Sequence, residues 1–476
     1  MRWHLKHEVH GTTPWPVQVA YLNAAAGRER FGNHSEQGLG KTSSTLNEFI
    51  GFEDVDLNIV LAPSSFVADW TLAPAEWGLG FLRTGMWGKQ QQLPFNWEAG
   101  VYAIAHETLR GSQRAREALL ELFRKRRCML TFDEATGIKK HSSLLAKYCV
   151  GQLVKEAKYV RILNGTPLVQ NVLDYYAPLR MLGQIDGMNP FAFRNRYAKM
   201  GGFMGKQIIG MNEDRQQELA RILNACSFRA LKRDWRKDMP EQVEVPVHLD
   251  MTDKQVQHYR TMMQEFYALV ENEEVNADMV LTQRIKLQQI SSCLLMKDGR
   301  AFWLEEPANN PKLKAAFDLM ATGHGKMIVV YFFDPSGRML IEQFQKAGLN
   351  PAWITGGMEP EDLIEQKRRF NDDSSCRILV GQIDQTSRGH NLLGRKGNDR
   401  CHRIFYYETS LSLMHVSQMN DRNHRGDQDE TCYLYWPVAS PIDQLNVDIL
   451  TKKKTMAEGM DAIVKEVRKF GLDPRP

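Results

Sequence analysis

"EQGLGKTSST", residues 36–45, is the stretch on which the reading of this chain turns. Gly40-Lys41-Thr42 is the ending of the phosphate-loop pattern G-x-x-x-x-G-K-[ST], but the opening glycine of that pattern falls on Ser35. Gly38 and Gly40 would let backbone amides wrap phosphate oxygens at a helix N-terminus, where the peptide dipoles favour anions. Lys41 would then reach the β- and γ-phosphates, and the Thr42 hydroxyl would ligate magnesium. The segment that follows, "TSSTLNEFI", reads as a helix. A glycine-containing loop with a chance lysine is the competing reading, and the loop alone does not separate the two.

A second stretch does. "MLTFDEAT" (129–136) is an apolar strand that ends in adjacent acids. Paired carboxylates at the C-terminal end of a strand suit a magnesium nucleotide: Asp133 to hold the metal, Glu134 to orient the attacking water. "LNGTPLVQN" (163–171) follows in order, and the three pieces together read as one ATPase lobe.

The rest of the chain sets the frame. With 476 residues it exceeds a single core, so two or more domains are expected. A 43% hydrophobic and 25% charged composition is that of an ordinary soluble protein, and a net charge of +4 permits a polyanionic partner without demanding one. The seven cysteines form no C-x-x-C pair, so reduced thiols are expected rather than disulfides or a zinc site. The N-terminus lacks an apolar signal core and no long apolar run occurs, which gives the expectation of an intracellular protein without membrane contact.

Short, continuously apolar runs recur in two series. "LNIVLA" (57–62), "VYAIA" (101–105), "CMLTF" (128–132) and "YVRIL" (159–163) form the first. "MIVVYFF" (327–333), "CRILVG" (376–381), "RIFYY" (403–407) and "CYLYW" (432–436) form the second. Continuous rather than alternating apolarity predicts strands buried on both faces, hence two α/β lobes with parallel sheets. Between them, residues 185–310 read as helix-rich, with a long amphipathic pattern over 253–275.

In these motifs the chain resembles the Swi/Snf family of superfamily-two helicase-like ATPases. The family loop D-E-M-G-L-G-K-T aligns with Ser35 to Thr42, and the family too lacks the small opening residue. The resemblance implies two RecA-like lobes, ATP and Mg²⁺ as cofactors, and double-stranded DNA as a largely sequence-independent partner. "PWPVQVAYL" (14–22) is similar to the family's R-P-Y-Q segment and makes Gln18 the adenine reader, with Trp15 in place of the arginine. Gly38, Leu39, Gly40, Lys41 and Thr42 would bind the nucleotide. Pro63, Ser64 and Trp70 of "IVLAPSSFVADW" and Thr108 of "IAHETLR" would face DNA, as would Thr166 and Asn171 of "GTPLVQN". In "DEATGIKKHSS", Ala-Thr stands where the family has Gly-His; both acids are kept.

The second series carries the resemblance further. "GQIDQTSRGHNLLG" (381–394) is similar to S-T-x-A-G-G-x-G-L-N-L, which implies nucleotide contact by Gly389 and DNA contact by Thr386 and Asn391. "QMNDRNHRGDQ" (418–428) matches Q-A-x-D-R-x-H-R-I-G-Q. On a helix Gln418, Arg422 and Arg425 share one face, and the arginines would act as fingers on a γ-phosphate. The expected layout is an ATP-binding lobe over 1–184, helical insertions and a link over 185–310, a second lobe over 311–450, and a brace helix over 451–476. The expected activity is a DNA-stimulated ATPase that translocates on duplex DNA, cytoplasmic in a bacterium or phage-infected cell, nuclear in a eukaryote. A strand-separating helicase or restriction-type motor is the nearest alternative, and a non-catalytic nucleic-acid-binding protein a more distant one. Basic stretches such as "FRKRRC" (123–128) are read either as phosphate contacts or as solvated charge.

Overall fold

The apolar runs fold as strands that are buried at nearly every position. Arg30–Asn33 (β1), Leu57–Ala62 (β2), Arg83–Trp87 (β3), Gly100–Ala105 (β4), Cys128–Asp133 (β5) and Tyr159–Leu163 (β6) lie in one sheet with the two-residue Ser227–Phe228 strand (β9). Ala198–Gly201 (β7) and Gln207–Met211 (β8) form a separate antiparallel pair. The large sheet runs β3-β4-β2-β5-β6-β1-β9, every pairing parallel. Strand β2 shows why both faces are apolar. Leu57, Ile59 and Leu61 enter one core layer, while Val60 and Ala62 enter the other. Full burial of each such leucine or isoleucine stabilises by about 1.5–3 kcal/mol.

This computed structural model describes residues 14–87, 98, 100–134, 138, 142–165, 172–201, 207–271, 277–387, 391–410, 412–426 and 428–451. Thr166, Asn171 and Gly389 lie outside the described residues, as does the expected brace helix beyond Thr451. The chain divides into two units, Met1–Asp238 and Met239–Pro476. The division cuts through the stretch 185–310 that the sequence suggests as a region of its own. Phe193, Tyr197 and Leu219 explain the first part of that stretch, since they are buried in a core layer of the first sheet.

In the first unit, Pro16–Ala25 (α1), Lys41–Gly51 (α2) and Ser64–Glu76 (α3) position the residues of interest. Helix α1 starts on a proline, whose missing N–H is one the first turn leaves unbonded anyway.

The second unit holds a six-stranded parallel sheet. Its strands are Gln242–His248 (β10), Lys326–Tyr331 (β13), Ala352–Ile354 (β14), Ile378–Gln382 (β15), Cys401–Tyr406 (β16) and Cys432–Val438 (β17), in the order β10-β17-β16-β13-β15-β14. Between β10 and β13 in sequence come helices Asp253–Glu271 (α4) and Ala277–Ser291 (α5), then the antiparallel pair Leu294–Lys297 (β11) and Arg300–Trp303 (β12). Farther on lie Asp334–Lys346 (α6), Leu413–Asn420 (α7) and Pro441–Leu450 (α8). Tyr259, Met263, Phe266, Leu287 and Ile290 pack with Ile442, Leu445 and Ile449 of α8. A buried Lys312–Asp443 ion pair at 3.0 Å reinforces that junction, and Ser291 also donates to Asp443. Helices α4 and α5 therefore belong to the second unit's core. All seven cysteines are buried and none is in a disulfide.

Candidate nucleotide site

The loop from Ser35 to Lys41 joins β1 to α2 at the C-terminal end of the parallel sheet, with β6 and β9 beside β1. Gly38 and Gly40 both have left-handed backbones, at φ 81 and 75. At Gly40 the constraint is double, because a side chain there would also collide with the amide nitrogen of Gln18. The loop is tied down from outside: Glu36 N–H donates to Ala230 O at 2.9 Å, and Lys232 N–H donates to the Glu36 carboxylate at 2.6 Å. Leu39 turns inward against Val17 and Ala230, so its side chain is core and only its backbone is open to a nucleotide role.

The Lys41 ammonium donates to the carbonyls of Ser35 (2.9 Å) and Glu36 (3.3 Å). It also lies against Gly165, where an added Cβ would sit 2.9 Å from Nζ. Lys41, Gly165 and the loop carbonyls thus meet at one point. Thr42, partly exposed, follows on the first turn of α2.

Asp133 closes β5 and is buried; its Oδ2 accepts the indole N–H of Trp70 at 2.8 Å. Burial pushes its carboxyl above the usual range, opposed by the Trp70 hydrogen bond and the Lys41 charge. Glu134 next to it is buried and held at φ 49, a left-handed backbone uncommon outside glycine and of the kind found at constrained functional positions. The Gln18 side chain is 2% exposed; its Oε1 accepts Trp15 N–H at 3.0 Å, while its Nε2 has no partner. A buried amide donor without an acceptor is costly, and a bound base would supply one.

One ion pair ties these elements together. Arg161 on β6 donates through Nε and Nη2 to Glu48 on α2, and Glu48 also accepts from Tyr21 on α1 at 2.9 Å. The remaining guanidinium hydrogens meet the carbonyls of Arg28, Glu29 and Val160. Arg161 is fully buried with every donor nitrogen engaged. It links α1, α2 and β6, the elements that bear Gln18, the phosphate loop and Gly165.

Two residues at the loop escape sequence reasoning. His34 is half-buried with its Nε2 shut off from solvent and unpartnered, and desolvation with the Lys41 and Arg229 charges lowers its pKa to about 4. Asn164 is 1% exposed with neither polar side-chain atom bonded. Their adjacency to the loop and to Gly165 is the only signal the sequence carries for them.

Four of the residues expected to contact DNA differ in setting from that expectation or only partly meet it. Ser64 is exposed and Pro63 half-buried at the start of α3, and Asn391 is exposed. Trp70 requires a correction: it is 2% exposed, and its indole nitrogen points at Asp133 rather than at solvent. Thr108 is buried with an unbonded hydroxyl, and Thr386 is fully buried against Gly381. These three side chains are interior because their elements pack them there. The basic run 123–128 is paired rather than free: Arg124 meets Glu156, Lys125 Glu121, Arg126 Asp56 and Arg127 Asp54.

In the second unit the shared helical face of Gln418, Arg422 and Arg425 also needs correction. Helix α7 ends at Asn420, and both arginines lie in the turns after it. Each reaches back to a carbonyl four residues earlier: Arg422 Nε to Gln418 O at 3.0 Å, Arg425 Nε to Asp421 O at 3.1 Å. Arg422 is 1% exposed and Gln418 is buried, whereas Arg425 is partly exposed. The segment is pinned to the chain around β10, since His424 Nε2 lies 2.8 Å from Pro240 O and Gln242 donates to Asn420 O at 3.0 Å.

A glycine-wrapped loop, a lysine beside it and a strand-end acid pair define a phosphate-loop α/β protein. The chain belongs to the SNF2-related family: the family model described as the SNF2-related domain matches residues 34–295, more than half of the chain. It is 22% identical over 388 residues to the Zorya protein ZorD of Escherichia coli, covering 76% of this chain and 33% of that protein. To the DNA repair and recombination protein RAD54-like of Drosophila grimshawi it is 22% identical over 487 residues, covering 89% and 59%. The SWI/SNF chromatin-remodeling complex subunit snf22 of Schizosaccharomyces pombe is 23% identical over 424 residues, with 82% and 24% covered. The chain therefore spans between about a quarter and three-fifths of these relatives. Among solved structures, the Sulfolobus solfataricus SWI2/SNF2 ATPase core in complex with dsDNA is 17% identical at a TM-score of 0.42, covering 97% of this chain and 96% of that one. Among the described residues no helix is long and apolar enough to cross a membrane.

Proposed function

We propose that this chain is a DNA-stimulated ATPase that uses hydrolysis to move along double-stranded DNA, largely without regard to sequence. The observation that carries the reading is the meeting of Lys41, Gly165 and the phosphate loop, with the buried Asp133 close enough for the Lys41 charge to act on its carboxyl. A phosphate would replace the loop carbonyls as the acceptor for the Lys41 ammonium. The unpartnered Gln18 amide would donate to the base.

The donor set fits magnesium. A carboxylate at Asp133 and a hydroxyl at Thr42 are hard oxygen ligands of the kind that ion takes together with phosphate oxygens. When bound it would neutralise charge on the phosphates. Glu134, one residue past the metal-holding acid, would orient the attacking water, and Arg425 and Arg422 would answer the charge of the transition state.

DNA as the partner is supported by family membership and by relatives named for DNA repair and recombination and for chromatin remodeling. Steady-state hydrolysis with no DNA, single-stranded DNA and duplex DNA, run beside a strand-displacement assay, tests the reading. Stimulation by duplex without displacement is expected. Displacement would favour the helicase alternative, and absence of hydrolysis under all conditions would leave only a binding protein.

A further inference from the structure

The β11–β12 hairpin is closed by Asp298 and Gly299, at φ 49 and 73, the two-residue left-handed turn that Asp-Gly favours. It is firmly rooted: Cys293 and Leu294 are fully buried, Leu304 nearly so, and Leu304 N–H donates to Cys293 O at 2.9 Å. Beyond that root the hairpin projects, with all four residues of β12 exposed. Its register sets Lys297 directly opposite Arg300. Two cations facing each other across a strand pair destabilise it. Asp298 is the only acid between 294 and 303, and neither cation forms an ion pair among the described residues. An anion brought by a partner would turn that repulsion into a binding site.

Strand alternation divides the hairpin into two faces. Met296, Ala301 and Trp303 line a groove with Phe332 and Phe333, whose other walls carry Glu306, Asp334, Glu342 and Asp384 against two cations, Arg338 and Lys346. That groove repels phosphate. The outer face instead presents Lys297, Arg300 and Phe302, the phenyl ring 50% exposed. We propose that this outer face is a DNA-contact element, Lys297 and Arg300 seating a backbone phosphate and Phe302 stacking on a base. The inference rests on the DNA reading above and deepens it. Bases inside a duplex offer no free face, so the ring finds its partner where strands are unstacked, and the hairpin favours single-stranded or forked DNA over a blunt duplex.

Binding of labelled blunt duplex, forked duplex and single strand, measured by fluorescence anisotropy over a salt series, tests this with two variants and their melting temperatures. Lys297→Glu puts a carboxylate opposite Arg300 and so removes the like-charge pair. Its melting temperature should hold or rise while affinity for all three DNAs falls and the salt slope shrinks by about one. A merely structural role would change the melting temperature in the same way but leave binding and the salt slope untouched. Phe302→Ala should weaken forked and single-stranded binding by roughly tenfold and leave blunt duplex within about twofold. Unchanged binding by both variants, or equal losses on all three DNAs for Phe302→Ala, overturns the proposal. If the wild-type protein binds none of the three, it is the DNA reading itself that fails.

Discussion

The Trp70 indole donates a 2.8 Å hydrogen bond to the Asp133 carboxylate across 63 positions of sequence. A tryptophan that the family resemblance assigned to the DNA surface is thereby the neighbour that fixes one oxygen of the proposed metal-holding acid. The bond also decides how that acid titrates. Burial raises the Asp133 pKa above its ordinary value and the indole N–H resists the rise.

The first prediction follows from that balance. A carboxyl whose folded pKa is raised contributes stability that is fully present below its unfolded pKa and lost as pH rises through the folded value. At neutral pH the buried carboxylate of the nucleotide-free protein is therefore a net cost. Asp133→Asn should be at least as thermally stable as the wild type at neutral pH, lose less stability on going from mildly acidic to neutral pH, and be unable to hydrolyse ATP. Melting temperatures over that pH range check it; a large drop in stability at neutral pH would show that Asp133 anchors the fold.

Lys41→Ala should abolish hydrolysis while DNA binding survives, because the lysine's charge is spent within the loop. Glu134→Gln should still bind ATP with magnesium yet turn over slowly, since only the orientation of water is lost. ATP titration beside steady-state rates distinguishes the two. Loss of nucleotide binding in Glu134→Gln would mean that the two acids have exchanged roles.

Arg425 and Arg422 should separate. Arg425 is partly exposed, so Arg425→Ala should fold normally, keep its ATP affinity and lose the DNA-stimulated rate by about 10³–10⁵. Arg422 is buried and bonded to Gln418 O, so Arg422→Ala should also lower the melting temperature. Full DNA stimulation in Arg425→Ala would remove the finger assignment.

The Arg161–Glu48 pair gives a stability test away from the chemistry. Arg161→Ala leaves Glu48 buried without its partner and should cost about 3–5 kcal/mol. Replacing both residues by apolar ones of similar size, Arg161→Met with Glu48→Leu, should recover much of that loss. Urea denaturation of the three proteins measures it. Wild-type stability in Arg161→Ala would show that the pair does not hold α1, α2 and β6 together.

Much of this was readable from residues in a row. A strand buried on both faces must be apolar at nearly every position, so "LNIVLA", "CMLTF" and "CYLYW" announce themselves without any knowledge of their neighbours. The phosphate loop is likewise local, because its glycines, lysine and threonine act through one turn of backbone. Short strands were harder: "RFGN" and "SF" carry no periodicity, and only their pairing beside β6 makes them sheet. The like-charged Lys297–Arg300 pair needed the register of the hairpin.

What the tertiary structure alone decided is which polar groups face inward. Trp70 and Thr386 sit in stretches that match a surface motif, yet packing turns their side chains into the interior. Arg161 and Glu48 stand 113 residues apart and read separately as ordinary surface charges. The helical spacing of Gln418, Arg422 and Arg425 was legible, but the end of α7 at Asn420 was not. Pattern and propensity act between near neighbours, whereas burial depends on what the whole chain brings alongside. For this protein the sequence alone determined the parallel sheets and the phosphate loop, and tertiary packing chose the partners of Asp133 and Lys41.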